Sequence, residues 1–327
     1  MGGCPGQERA ERRQPAARLA TTAIATVLFA AVLGGCSSLR RTPEGVHDTK
    51  DQAAEYAEFG NRYFREGNYL QALNFFELAF RENAVVDNRI GIAQSYNSIG
   101  KVYLATGDID TAERSFQSAY EIAVRLEDAP LLLQSATHLG EAALRRGDVE
   151  LAMSFFDQAM DERNDEVDQA NLAVLYHNIG TAHGRLEDYE VAQQFIQDAI
   201  AINDEIRQLA ELAANHYMLA SILSRQDMLE EALGEAETAL LYDKQVENSV
   251  GIAADLKALG LIAVKQGDLI EAYDFMKRSL RVTAAIGLVA DAKKVLIQLE
   301  TIATGLGLDS EAEGYRAQLE ELSSPDQ

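Results

Sequence analysis

Small and apolar positions recur along this chain at a spacing of 40 residues, seven times over and without an insertion. The anchor of each copy is Gly60, Gly100, Gly140, Gly180, Ala220 or Gly260, with Glu300 in the seventh. Just before it stand Phe59, Ile99, Leu139, Ile179, Leu219, Leu259 and Leu299, and four positions before it Tyr56, Tyr96, Ala136, Tyr176, His216, Leu256 and Leu296. Spacings of three and four place these residues on one face of a helix. Seven positions after the anchor comes Gly67, Gly107, Gly147, Gly267 or Gly307, replaced by Glu187 and Asp227 in two copies. A glycine there adopts the left-handed conformation that ends a helix. The next residue is often Asn68, Asp108, Asp148, Asp188 or Asp268, whose side chain can accept from the free amides of a second helix. That second helix carries Ala72, Ala112, Ala152, Ala192, Ala232, Ala272 or Ala312, then Phe76, Phe116, Phe156, Ile196 or Met276 four residues on. Small residues let the paired helices approach, and large ones fill the gaps between them.

This pattern resembles the tetratricopeptide repeat, in which a small residue of a first helix is met by Ala, a large apolar residue and Ala in the second. The resemblance covers residues 51–322. It implies an all-α fold, a right-handed superhelical solenoid of about seven helix-turn-helix repeats. The units exceed the usual 34 residues by six and lack the closing proline, as in the longer repeats of kinesin light chains and several bacterial signalling regulators. The excess falls where the second helix is expected to run on, through residues such as Ile122, Ala123 and Leu126, to a polar break at Glu127 and Asp128. Six more helical residues add ~9 Å per repeat and deepen the groove. Glu300 and Arg316 occupy positions that are small or apolar elsewhere, which suits a closing unit that faces water. Residues 323–327 are expected to form a polar tail.

The first 35 residues read differently. Arg9, Arg12, Arg13 and Arg18 precede an uncharged apolar run from Leu19 to Leu33, shorter than the ~20 residues that span a bilayer. The outline is that of a secretory signal. Leu33, Gly34, Gly35 and Cys36 resemble the lipobox of bacterial lipoproteins. That resemblance implies a diacylglycerol on the Cys36 thiol, Cys36 as the mature N-terminus and, with Ser37 following, sorting to the outer membrane facing the periplasm. The alternatives are an uncleaved membrane anchor and export through the Arg12-Arg13 pair, although Gln14 and Pro15 do not supply the apolar residues that twin-arginine export expects. Residues 36–50, with two serines, Pro43 and Gly45, are expected to form a flexible tether. Once Cys4 has left with the signal, Cys36 is the last cysteine, which excludes disulfides and cysteine metal sites.

A net charge of −23 repels nucleic acid and anionic lipid head groups, so attachment to a membrane would rest on the lipid. Against that background, the residue five positions after the anchor is Arg65, Ala105, Arg145, Arg185, Arg225 or Lys265. In the resembled family this position faces the concave groove, so stacked copies would form a basic column beside Asn61, Gln94, Asn97, Lys101, Gln134, His177 and Tyr217. Such a groove would receive an extended or helical segment of a protein partner. The competing reading is that a cation in the last turn of a helix complements the helix dipole.

No pattern of catalytic or metal-binding residues accompanies the repeats. His47, His138, His177, His183 and His216 do not show the spacing of a metal-binding helix, and His183 and His216 fall on packing positions. Asp161, Glu162, Asp165, Glu166 and Asp168 cluster near an inter-repeat break but lack the glycine and closing glutamate of a calcium loop. Gly305 and Gly307 belong to a repeat turn and do not continue as a phosphate loop. No cofactor is expected. The reading that results is a lipid-anchored extracytoplasmic adaptor that supports assembly of an envelope complex. A ligand- or peptide-sensing module and, more remotely, an enzyme with a grafted site are the alternatives.

Overall fold

A computed structural model describes residues 44–323 of the chain. The signal segment, Cys36 and residues 324–327 lie outside the described residues. Among those described there are fourteen α-helices and no strand. They run in pairs: α1 (Glu44–Arg65) with α2 (Tyr69–Val85), α3 (Arg89–Thr106) with α4 (Ile109–Leu126), and α5 (Ala129–Arg146) with α6 (Val149–Asp161). Then follow α7 (Gln169–Arg185) with α8 (Tyr189–Glu205), α9 (Leu209–Arg225) with α10 (Leu229–Gln245), α11 (Ser249–Gln266) with α12 (Leu269–Ala285), and α13 (Val289–Gly305) with α14 (Asp309–Ser323). The first helix begins at Glu44, inside the segment expected to be a tether.

Each helix packs on the next, and from α3 to α11 the odd-numbered helices also touch one another. They form the inner layer of a solenoid whose outer layer is the even-numbered helices. The contact that sets each pair is a large side chain seated on bare backbone. A β-carbon added to Gly60, Gly100 or Gly140 would stand 2.5, 2.4 or 2.2 Å from the ring of Phe76, Phe116 or Phe156. Ile196 takes the same seat on Gly180 at 2.8 Å and Met276 on Gly260 at 2.9 Å. These knobs are almost wholly removed from water. In the fifth pair both sides change together: the anchor is Ala220 and the knob shrinks to Ala236, both buried. In the seventh the knob becomes an ion pair, Arg316 Nε donating to Glu300 Oε1 at 2.8 Å. That pair is partly exposed.

Left-handed residues end the helices as expected. Gly67, Gly107, Gly147, Gly267 and Gly307 have φ between 72° and 93°, and Glu187 and Asp227 are forced into the same region at 62° and 57°. Asn68, Asp108, Asp148 and Asp268 each accept from a first-turn amide of the following helix. Asp188 does not, because its carboxylate turns to His183 Nδ1 at 3.2 Å. The turns between pairs use the same device, with Asp87, Glu127, Arg207, Glu247 and Gly287 at positive φ. The third pair is the exception to the run-on second helix: α6 stops at Asp161. Arg163 folds back onto Met160 O, and Asn164 accepts from Glu166 N. Asp168 caps α7 through Ala170 N, so the acidic cluster is a capped, solvated loop.

The stack curls back on itself. A β-carbon at Gly67, in the first repeat, would meet Val250 Cγ2 of α11 at 3.5 Å, so the sixth repeat returns to the first and the inner face becomes a channel.

If knob and bare backbone are one unit, Gly140→Ala alone should cost ~1–3 kcal/mol by overpacking. The double variant Gly140→Ala/Phe156→Ala, which copies the fifth pair, should lose clearly less than the sum of its single variants. Urea unfolding of the four proteins measures this, and strictly additive losses would show that the two positions do not share one seat.

Candidate functional site

The inner helices of the first five repeats enclose a cavity of about 490 Å³, reaching from Asn61 and Phe64 on α1 to Glu211 on α9. Its wall is mostly polar. One hydrogen-bonded chain crosses three repeats: Asn97 Nδ2 donates to Gln134 Oε1 at 2.9 Å, and Gln134 Nε2 donates to Asn171 Oδ1 at 3.3 Å. Asn97 Nδ2 also reaches Ser135 Oγ at 3.2 Å. Further along, His177 Nδ1 lies 2.7 Å from Asn215 Oδ1. Asn97 and His177 stand three positions before the anchors Gly100 and Gly180, and each reaches across to the next inner helix.

Several polar atoms of this wall have no partner. Asn97 Oδ1, His138 Nδ1 and Asn178 Nδ2 are buried and unpaired, and so is Asn215 Nδ2 beside His177. Leaving such an atom unmatched costs about 1–3 kcal/mol. His138 stacks on Phe116 with ring centroids 5.0 Å apart. Burial holds its imidazole below the ordinary histidine value, against the opposing pull of Glu141. Glu141 Oε2 lies 3.8 Å away, too long for a hydrogen bond. Burial works to raise that carboxyl, but the adjoining His138 together with the charges of Arg145 and Lys101 outweighs it, and Glu141 ends below its ordinary value. Lys101 spans the mouth with its Nζ 5.4 Å from the centre of the Phe64 ring.

The residues expected in the groove therefore divide. Asn97, Lys101 and His177 share the cavity, and Arg145 stands at its edge, 3.8 Å from Glu141. Tyr217 belongs to the next stretch of the inner face, where burial first, and then the charges of Asp255 and Asp291, push its hydroxyl up. Arg65 lines a separate hollow of about 310 Å³ with Glu58, Phe59, Asn61 and Arg62. Three members of the basic column have a structural partner. Arg185 donates to Leu144 O, Arg225 to Gly184 O at 3.2 Å, and Lys265 to Ser224 O. Each reaches back to a last-turn carbonyl of the preceding inner helix, where acceptors are in surplus. Burial, followed by the like charges of Arg145 and Arg225, lowers the Arg185 guanidinium from its ordinary value.

His138, Glu141, Asn178 and Asn215 were not among the groove residues expected from the sequence. The signal was available only as polar side chains at buried-looking positions of α5, α7 and α9, a weak one without the neighbouring helices.

A family model described as tetratricopeptide repeat matches residues 52–125 and 131–205. The chain carries tetratricopeptide repeats. Among solved structures it is similar to the Rap conjugation gene regulator of the plasmid pLS20 in complex with the Phr* peptide, at 19% identity and a TM-score of 0.63, covering 89% of this chain and 81% of that one. A Rap protein complexed with competence and sporulation factor gives 17% identity and a TM-score of 0.64, over 83% and 74% of the two chains. BtubC from P. vanneervenii gives 20% and 0.56, over 65% and 89%. At these identities the likeness is one of fold. No curated protein matches the chain in sequence.

The backward clamps make a stability prediction. Arg185→Ala or Arg225→Ala should each cost about 1 kcal/mol, whereas Arg185→Lys should keep most of the stability because Lys265 already makes the same contact with an ammonium. Chemical denaturation decides it; a stable Arg185→Ala protein would mean the clamps hold nothing.

Proposed function

We propose that this tetratricopeptide-repeat protein is an adaptor whose inner channel takes up an extended peptide segment of a protein partner. The observation that carries the reading is the cavity wall itself: amide, imidazole and ammonium side chains of successive repeats, among them Asn61, Asn97, Lys101, Gln134, Asn171 and His177, line one hollow. A peptide backbone presents carbonyls and amides along its length, so an extended segment can meet such a wall repeat by repeat. Phe64 and Val174 offer apolar seats, and Lys101 and Arg145 favour acidic groups near the mouth. The solved Rap conjugation gene regulator of pLS20 in complex with the Phr* peptide, similar in fold, supports this reading by analogy. Recognition is the mechanism, and no catalytic step is assigned to any residue.

The setting completes the proposal. Among the described residues no helix is long and apolar enough to cross a membrane. On the lipobox resemblance, Cys36 with its preceding Leu33, Gly34 and Gly35 would carry a lipid anchor. The anchored solenoid would work in the envelope, held at the outer membrane, and help to assemble or position a complex there. A second reading, a sensor of a short free peptide, is favoured by one feature: the channel is closed by the return of α11 to Gly67, which suits a ligand with free ends better than a loop.

Lys101→Ala/Asn178→Ala is the variant to use, because neither change removes a hydrogen bond that holds the fold. An affinity-tagged chain recovered from crosslinked native envelopes should bring down a defined set of proteins that the variant loses while keeping its unfolding midpoint. The same set persisting in the variant would remove the channel from partner binding; a free peptide recovered in place of a protein would favour the sensor.

Cys36→Ser should abolish lipid attachment and move the protein from the membrane pellet to the soluble envelope fraction, as read by mass spectrometry of the N-terminal peptide. A wild-type chain without a lipid on Cys36 would defeat the anchoring part of the proposal.

A further inference from the structure

The junctions between repeats share a design in which a side chain near the end of the outer helix meets one on the next inner helix. At the first junction both groups are neutral. Asn83 fills the space left by Gly91, whose β-carbon would stand 2.2 Å from Asn83 Oδ1, and Asn88 Nδ2 donates to the same oxygen at 2.7 Å, with Ser95 buried beyond it. The equivalent positions hold Ala123 and Ser135, Asn203 and Asn215, and Thr283 and Val295, while the third junction, with Arg163 and Leu175, departs from the series. At the fifth junction they hold two carboxylic acids, Asp243 on α10 and Asp255 on α11, only 4% and 1% exposed.

The local frame is the same as in the first junction. Gly251 makes room for Asp243, since a β-carbon there would stand 1.7 Å from Asp243 Oδ2. Asn248 Nδ2 donates to Asp243 Oδ1 at 2.9 Å and Asn248 Oδ1 caps α11 through Gly251 N. Neither oxygen of Asp255 receives a hydrogen bond from a donor of the protein. A buried carboxylate without donors or a cation is costly, so Asp255 is stable in place when it carries a proton that it gives to Asp243. Burial, and then the Asp243 charge, push the Asp255 carboxyl up to about 8, and burial raises Asp243 as well.

The surroundings offer no counter-charge to replace that proton. Tyr217 on α9 is neutral, its own hydroxyl pushed up by burial and by the charge of Asp255. On α12 the nearby polar groups are Ser279, which donates to Ala253 O at 2.7 Å, and Thr283. Lys257 on α11 and Asp291 on α13 line an adjoining hollow with Val250, and no cation acts on either carboxyl of the pair. The position matters because Val250, next to Gly251, is the residue that returns to Gly67.

We propose that Asp243 and Asp255 form a proton-dependent latch between the fifth and sixth repeats: one shared proton holds α11 on α10, and its loss frees the start of α11 from the first repeat, opening the channel. The latch works on the fold and holds whatever the channel binds. A carboxyl that ionises near pH 4 when the junction is open and near pH 8 when it is closed favours the closed form fully at low pH. The advantage is lost progressively as pH rises through that window and stays lost above it.

Hydrogen exchange followed by mass spectrometry on the full chain, from about pH 5.5 to about pH 8 with intrinsic rates corrected, reads the latch directly. In the wild type, opening of the segment 240–255 should rise by up to ~tenfold per pH unit, and the Gly67 turn should follow. Asp255→Asn, which restores an Asn-type junction, should lose most of that slope. Asp243→Asn should reduce the slope, since its amide can donate to the Asp255 carboxylate in place of the shared proton, and keeps the test open if the first variant folds poorly by circular dichroism. A wild type without the slope, or the same slope in both variants, overturns the latch.

Discussion

A helix backbone laid bare by glycine, with a large side chain of its partner seated on it, is the contact on which this molecule depends. Five of the seven pairs use it, with Phe, Ile or Met as the knob. Because no β-carbon intervenes, the two helices come close enough for the alanines on either side of the knob to pack without voids. The departures obey the same volume rule. Ala220 is matched by Ala236, and Glu300 by Arg316, so a change on one helix is answered on the other. With the pair geometry set this way in every copy, the stacking angle accumulates until the sixth repeat meets the first at Gly67 and Val250. The channel is a consequence of repetition and needs no closing element of its own.

Charge is organised around that scaffold more than it drives it. The chain is strongly acidic, yet its cations are spent where helix ends accumulate acceptors. Arg185, Arg225 and Lys265 each tie the end of one inner helix to the carbonyls of the one before. The dipole argument made from sequence and the column argument thus meet in one geometry: the cations complement helix termini, but those of the neighbouring repeat.

The inner wall is the part of the molecule that packing alone does not explain. Unmatched atoms at Asn97, His138, Asn178 and Asn215 would be poor choices in a purely structural core, where a Leu would fill the same volume without a desolvation penalty. The buried acids at the fifth junction break the rule in a second way, for there the mismatch lies between two side chains of the protein and a proton resolves it. Both are places where local stability has been given up, the first along the inner helices and the second between the outer helix α10 and the inner helix α11.

Period, helix pairs, turn residues and caps were legible in the sequence because each depends on neighbours a few residues apart: Gly107 ends its helix and Asp108 starts the next wherever the chain goes afterwards. The departure of the seventh copy from the pattern was legible too, at Glu300 and Arg316, though not that the two bind each other. What depends on residues forty or more apart was not. That Arg185 serves Leu144, that Asn97 leads through Gln134 to Asn171, that two aspartates meet across a junction, and that Val250 closes on Gly67 follow from the angle at which one pair stacks on the next. That angle is the sum of many small packing choices. The sequence by itself determined the unit and its repetition, because these are local; the tertiary structure alone decided which side chains share the channel, because only stacked units bring distant copies face to face.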